Sequence, residues 1–180
     1  MADGWHRRIY AGVASVPSAA YVGHIRGSPH PDLVDYEVVL ADRRTGAITA
    51  SGVPAVHVTA ELGAFESSLR LAVARLDGEL GAGERPSTSE QVFAVVQLCA
   101  LVHGEWVRIH PYANGNGRTA RVWANWVALR YGLPPFVRIK PRPDGLLYGL
   151  AAHRSMGVGG AVPDHDLTFS VCVDLLRSQP

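Results

Sequence analysis

The segment "EQVFAVVQLCALVHGEW", residues 90–106, constrains the fold more than any other part of the chain. Its apolar positions Val92, Val95, Val96, Cys99, Val102 and Trp106 fall at helical spacing. Apolar residues also occupy nearly all of the remaining surface, so no broad polar face is left for water. Such a helix needs protein on every side, and the pattern predicts the buried centre of a bundle. Ser87, with Glu90 three residues on, reads as a capping box that opens it after Pro86. His103 reads as the end of this helix, and Trp106, Trp123 and Trp126 as core. A length of 180 residues suits one domain with a sizeable core, or a domain plus a small extension.

The flanking sequence supplies the other elements. Residues 1–35 are rich in Gly, Pro, Ser and Ala and read as an N-terminal extension of uncertain structure, with residues 36–180 as the domain. From Tyr36, "YEVVLADRRTGAITASGVPAVHV" carries β-branched residues broken by Thr45-Gly46 and Ser51-Gly52, which predicts one β-hairpin of open register. Arg43-Arg44 reads as its solvated tip. A helix capped by Thr59 is expected over residues 61–79, closing at Gly81 and Gly83. "RTARVWANWVALRY" reads as a helix stopped by Gly132 and Pro134-Pro135. "DGLLYGLAAHR" and "DHDLTFSVCVDLLRS" make two more, with Asp144 and Asp164 or Asp166 as caps. The expected class is mainly α, a helical bundle with a small β-hairpin.

Composition narrows the partners. Apolar residues make up 47% of the chain and the net charge is +1, which excludes a disordered tail or a polybasic nucleic-acid arm. Cys99 and Cys172 lie in apolar runs without metal or redox spacing and read as buried free thiols of a reducing compartment. No charged-then-apolar leader is present and no apolar run is read as reaching membrane-spanning length. The expectation is a cytoplasmic protein with neither membrane nor nucleic acid as partner.

The chemistry is concentrated in "HPYANGNGRTAR", residues 110–121. Its glycines disfavour a helix, yet a helix follows directly, so the stretch is a loop emptying into a helix N-terminus. That end carries unpaired N–H groups and partial positive charge. Gly115 and Gly117 let the backbone approach a ligand closely, which makes an anion cradle. Arg118 and Arg121 lie three apart on one face, within reach of the same anion, and a guanidinium fork suits phosphate. His110, before the stiffening Pro111, is the residue suited to take a proton near neutral pH. A base beside a phosphate cradle points to attack of a hydroxyl on phosphorus.

Three alternatives compete. Gly115-x-Gly117-x-x-Ala120 matches a relaxed dinucleotide fingerprint, but a helix rather than a strand precedes it. A Walker-type loop needs Gly-Lys-Ser/Thr, and Lys140 is the only lysine. An ordinary Gly/Asn turn explains the glycines and Asn114, but neither the arginines nor His110. His103 and His110, seven apart, lack a third metal ligand at sensible spacing.

The stretch resembles the Fic-domain signature His-Pro-Phe-x-(Asp/Glu)-Gly-Asn-Gly-Arg-x-x-Arg, with His110, Pro111, Gly115, Asn116, Gly117, Arg118 and Arg121 on fixed positions and Tyr112 at the aromatic one. The resemblance extends over roughly residues 36–178 and through "LVHGEWVRIHPYANGNGRTARVWANWVALRYGLPPF". It implies a Fic-type helical bundle that moves a nucleotidyl group, usually AMP from ATP, onto a Ser, Thr or Tyr hydroxyl of a target protein. His110 would then be the base; the Gly115–Gly117 backbone and Asn116 would hold the α-phosphate. Arg118 would bind the β/γ side with Arg121 in support, and Tyr148 falls where an aromatic lies near the base ring. A flap within residues 47–58 would hold the target by strand addition.

The sequence departs from the signature at Asn114, where the family has a carboxylate that binds Mg²⁺. An amide oxygen still ligates a hard cation, but without the charge that retains it. Slower AMP transfer, another phosphate-linked donor, or nucleotide binding without turnover would each follow, and a transferase for a small hydroxylated molecule is a further alternative. The family's inhibitory pattern, [Ser/Thr]-x-x-x-Glu-[Gly/Asn], does not occur in residues 1–180. Restraint then falls to a separate antitoxin-like protein or to Asn114 itself.

Overall fold

The computed structural model describes residues 1–13, 16–42, 44–81, 84–143, 145–158 and 161–179. Along them run α1 (Ala2–Tyr10), β1 (Val39–Ala41), β2 (Ile48–Ser51), α2 (Val58–Leu80), α3 (Ser89–Ile109), α4 (Asn116–Arg130), α5 (Leu146–Ser155) and α6 (Asp166–Arg177). Helix α3 is the axle: it packs on α4 most extensively and also on α2, α5 and α6. Its apolar circumference is thereby consumed, with Val95, Val96, Cys99, Val102, Trp106 and Ile109 all buried. Phe65, Trp106 and Trp123 form an aromatic knot with centroids 5.4–5.6 Å apart, joined at its edge by Trp5.

One expectation about α3 is corrected. At 21 residues and a mean hydropathy of 1.4, it is long and apolar enough to cross a membrane by length and composition. Its place at the centre of the bundle accounts for that composition equally well. His103 does not end the helix either, because α3 continues six residues further, to Ile109.

The caps show how local chemistry sets the ends. The capping box opening α3 is one residue later than the sequence suggested: Thr88 Oγ1 accepts from Gln91 N at 3.3 Å, and Gln91 Oε1 accepts from Thr88 N at 3.3 Å. Thr59 is not the cap of α2, which begins at Val58 straight out of the short turn Ala55–His57. Gly81 closes α2 at φ 85°, a left-handed-side value that a Cβ would disfavour; Gly83 lies outside the described residues. Neither predicted aspartate is the N-cap of α6, which is His165, although Asp164 Oδ1 accepts from Asp166 N at 2.8 Å. Asp144 lies outside the described residues, and Gly145 precedes α5.

The hairpin has the pairing Val39↔Ser51, Leu40↔Ala50 and Ala41↔Ile48, with a bulge between Leu40 and Ala41. Asp42 builds its turn by accepting from Arg44 N, Thr45 N and Thr45 Oγ1 at 2.7–3.0 Å. Arg44 is exposed there, and Arg43 is outside the described residues. Both cysteines are buried and free, and burial pushes the Cys172 thiol up to about 12.

The described residues among the first 35, uncertain from sequence, fold onto the rest. Helix α1 lies against α4, and the segment after it crosses to the end of α3.

Candidate active site

Helix α3 ends at Ile109, and the chain reverses through His110 at φ 52° and ψ 55°, the one non-glycine residue with positive φ among those described. This conformation costs energy in a residue with a Cβ, so the surroundings must hold it. Nδ1 of His110 lies 3.0 Å from the Val107 carbonyl. A carbonyl only accepts, so Nδ1 carries the proton and Nε2 is the basic nitrogen. Burial, with a lesser contribution from the Arg26 charge, holds the imidazole below its ordinary 6.5 even against that carbonyl.

The loop is braced from inside. Asn116, 2% exposed, accepts from Tyr112 N at 2.9 Å and donates to Tyr112 O at 2.7 Å. Its side chain is therefore a staple, engaged through Oδ1 and one Nδ2 hydrogen, and the expectation that Asn116 holds phosphate rests chiefly on its backbone N–H. Gly115 takes φ 81° as the N-cap of α4, and a Cβ there would sit 2.9 Å from Tyr10 Cε2 and 3.1 Å from His6 Nε2. The first N–H groups of α4, at Asn116 and Gly117, have no acceptor within the helix. They are the backbone donors on which the expectation of an anion cradle rests.

Asn114 is exposed, and its Oδ1 accepts from Gly115 N at 2.7 Å. It offers a metal one neutral, already engaged oxygen. Among the described residues no group of three His, Cys, Asp or Glu side chains is placed to hold a metal ion. This donor set does not fit a magnesium site of the protein's own making.

The two arginines have different surroundings, which corrects the expectation of one shared face. Arg118 is half-buried, stacked 4.7 Å from the Tyr10 ring centroid and bonded to its hydroxyl at 2.9 Å. Arg121 is 4% exposed, with Nε and Nη2 on the Ile139 carbonyl at 3.2 and 2.8 Å and Nη1 on Tyr148 Oη at 3.1 Å. It lies beneath Gly117, where a Cβ would be 3.5 Å from Nη1. Arg121 thus supports the cradle from below and presents no open fork. Tyr148 is corrected too: at 8% exposure its ring has no free face for a base, and its hydroxyl sits between Arg121 and His103 Nε2, 2.9 Å away.

Several residues here escaped sequence reasoning. His6 is fully buried; Nδ1 accepts from Gly23 N at 2.9 Å, so Nε2 donates to the Asn114 carbonyl at 2.9 Å. Tyr112 stacks on it at 3.9 Å and donates to Asp3 Oδ1 at 2.7 Å. Gly52, at the foot of the hairpin, passes so close that a Cβ would be 2.9 Å from that of His110. The close glycine was legible as a turn signal, but its neighbour was not.

Comparison with known proteins gives the family and the fold. The Fic/DOC family model matches residues 5–128. The chain is 39% identical over 59 residues to the protein adenylyltransferase Fic of Nematostella vectensis, which covers 32% of this chain and 14% of that protein. It is 32% identical over 68 residues to a uridine 5'-monophosphate transferase of Xanthomonas campestris pv. campestris, covering 38% of this chain and 13% of the relative. The chain thus spans about one seventh of the length of these relatives. A Fic domain containing signaling protein from Bacteroides thetaiotaomicron superposes over 98% of this chain and 58% of its own with a TM-score of 0.61 at 22% identity, a likeness of fold. With the family model covering well over half of its residues, the chain belongs to the Fic/DOC family.

Proposed function

We propose that this chain is a nucleotidyl transferase that moves AMP, or a related phosphate-linked group, from a nucleotide onto a hydroxyl of a target protein. The observation that carries the reading is the protonation pattern of His110: Nδ1 is engaged by Val107, and Nε2 is left basic within the loop that opens α4. Relatives named as adenylyl and uridylyl group transferases support the same chemistry.

In this reading Nε2 takes the proton of the acceptor hydroxyl as its oxygen attacks the α-phosphorus. The bond from that phosphorus to the bridging oxygen breaks, and pyrophosphate leaves when the donor is ATP. The Asn116 and Gly117 N–H groups face the charge that grows on the phosphoryl oxygens. Arg118 turns from Tyr10 to the outer phosphates. The free edge of the β1–β2 hairpin, where Ile48 is exposed, is the segment suited to hold a target strand.

Two observations favour a second reading, nucleotide binding without turnover: Asn114 stands where the family has an anionic ligand, and Arg118 is occupied by Tyr10. Incubation of the protein with lysate and ATP labelled at the α- or γ-phosphate separates these. Transfer of α-label alone supports nucleotidylation, transfer of γ-label means phosphorylation, and no transfer supports the second reading.

A further inference from the structure

Arg26 lies in a Gly- and Pro-rich stretch with no helical or strand period, yet its side chain is completely buried. An isolated guanidinium would be costly there, and this one is spent almost wholly on carbonyls. Nε donates to His110 O at 2.7 Å, and Nη2 donates to Ile109 O at 3.1 Å and Val53 O at 2.7 Å. Nη1 donates to Tyr36 O at 2.9 Å and meets Glu37 Oε2 at 3.5 Å. The Arg26 backbone N–H adds Pro111 O at 2.8 Å. One residue therefore accepts the burden of three successive carbonyls, 109 to 111, where α3 ends and the left-handed His110 begins.

Those carbonyls are the ones a helix leaves unpaired, at its negative end. The same fork reaches Tyr36 and Val53, the two residues at the base of the hairpin. We propose that Arg26 is a positioning residue of the active site: it caps α3 from the N-terminal segment and holds His110 and the hairpin stem in one register. Lysine cannot do this, because three donors on a single nitrogen cannot span carbonyls from three segments.

This role rests on His110 as the base; the His110 titration reads the Arg26 contact without transfer, and kcat reads its consequence. The Arg26 charge faces His110, with Glu37 paired to it; the elements packed around the loop carry Arg108 on α3, tied to Glu105 and Glu61, Arg118 on α4 against Tyr10, and His6 on α1. The experiment is NMR titration of the His110 ring in the full chain, with transfer kinetics alongside, for Arg26→Gln, Arg26→Lys and Glu37→Gln. Arg26→Gln removes the facing cation, so the His110 midpoint rises. Glu37→Gln keeps an oxygen for Ala55 N–H and leaves the Arg26 fork on its carbonyls, so it is the control in which kcat stays near wild type. Arg26→Lys holds the midpoint near wild type while kcat drops about a hundredfold, the scale of a reacting group displaced by about 1 Å, with nucleotide KM little changed. A folded Arg26→Lys with wild-type kcat overturns the proposal, as does a folded Arg26→Gln whose midpoint stays put, or a Glu37→Gln that loses as much kcat as Arg26→Lys. If Arg26→Gln fails to fold, the other two variants decide. Failure of the base reading itself would show separately, as retained transfer in His110→Ala.

Discussion

Val107 and His110 stand one helical turn apart, and the carbonyl of the first receives the Nδ1 proton of the second at 3.0 Å. The bond forms only because His110 leaves α3 at φ 52°, which swings its ring back along the helix end. Transfer that uses Nε2 as base needs the neutral imidazole. Since burial and Arg26 hold the ring below 6.5, protonation, and with it loss of rate, begins only as pH falls below that value. The acid limb of kcat/KM against pH should thus lie beneath 6.5; a limb at or above 6.5 would contradict this geometry.

Gly52→Ala tests the contact between hairpin and base. The new Cβ would meet His110 Cβ at 2.9 Å and Arg26 Nη2 at 3.2 Å, distances that force one of them to move. Overpacking of this kind costs about 1–3 kcal/mol. The expected outcome is a lowered urea midpoint together with a reduced kcat, measured on the same preparation. Wild-type values of both would show that the hairpin foot yields freely.

His103 makes a prediction about stability. Arg121 Nη1 donates to Tyr148 Oη, whose own proton goes to His103 Nε2, so His103 carries its proton on Nδ1, which has no partner among the described residues. Burial, then the charges of Arg121 and His165, lower its pKa to about 3. The unfolded chain binds a proton near 6.5 and the folded one does not, so stability is full above 6.5 and falls as pH drops toward about 3. The slope is on the order of 1 kcal/mol per pH unit in that window. Urea unfolding at pH 7 and pH 5 should show a weaker pH dependence for His103→Gln than for wild type. Equal dependence would remove His103 as its source.

Much of this was legible in the sequence because it is local. The apolar run of α3, the glycine loop and the start of α4 follow from residues within a few positions of one another. Helix α1 was missed because its one buried side chain is His6, a residue that apolar periodicity does not count. Arg26 was missed for a related reason: its partners lie at 36, 37, 53, 109 and 110, and no local pattern announces a buried cation serving distant carbonyls. Arg121 was assigned to the ligand from its spacing to Arg118 and Tyr148 from the family resemblance, and neither shows what packs around the side chain. The capping box slipped by one residue because Ser87 and Thr88 are adjacent hydroxyls and Glu90 and Gln91 adjacent partners.

Asn114→Asp bears on the metal. A carboxylate in place of the amide supplies an anionic oxygen at the loop, which hard cations prefer. Nucleotide affinity measured by calorimetry should become more dependent on magnesium in the variant than in wild type. The same magnesium response in both would mean that residue 114 takes no part in metal binding.

The most direct measurement compares wild type and His110→Ala for transfer of α-labelled nucleotide to protein, with nucleotide affinity determined on both. The expected result is a rate lower by about a hundredfold to ten-thousandfold, the usual cost of a lost general base. Affinity should be nearly unchanged, because the base acts on the acceptor hydroxyl and not on the phosphates. Undiminished transfer by His110→Ala would contradict the assignment.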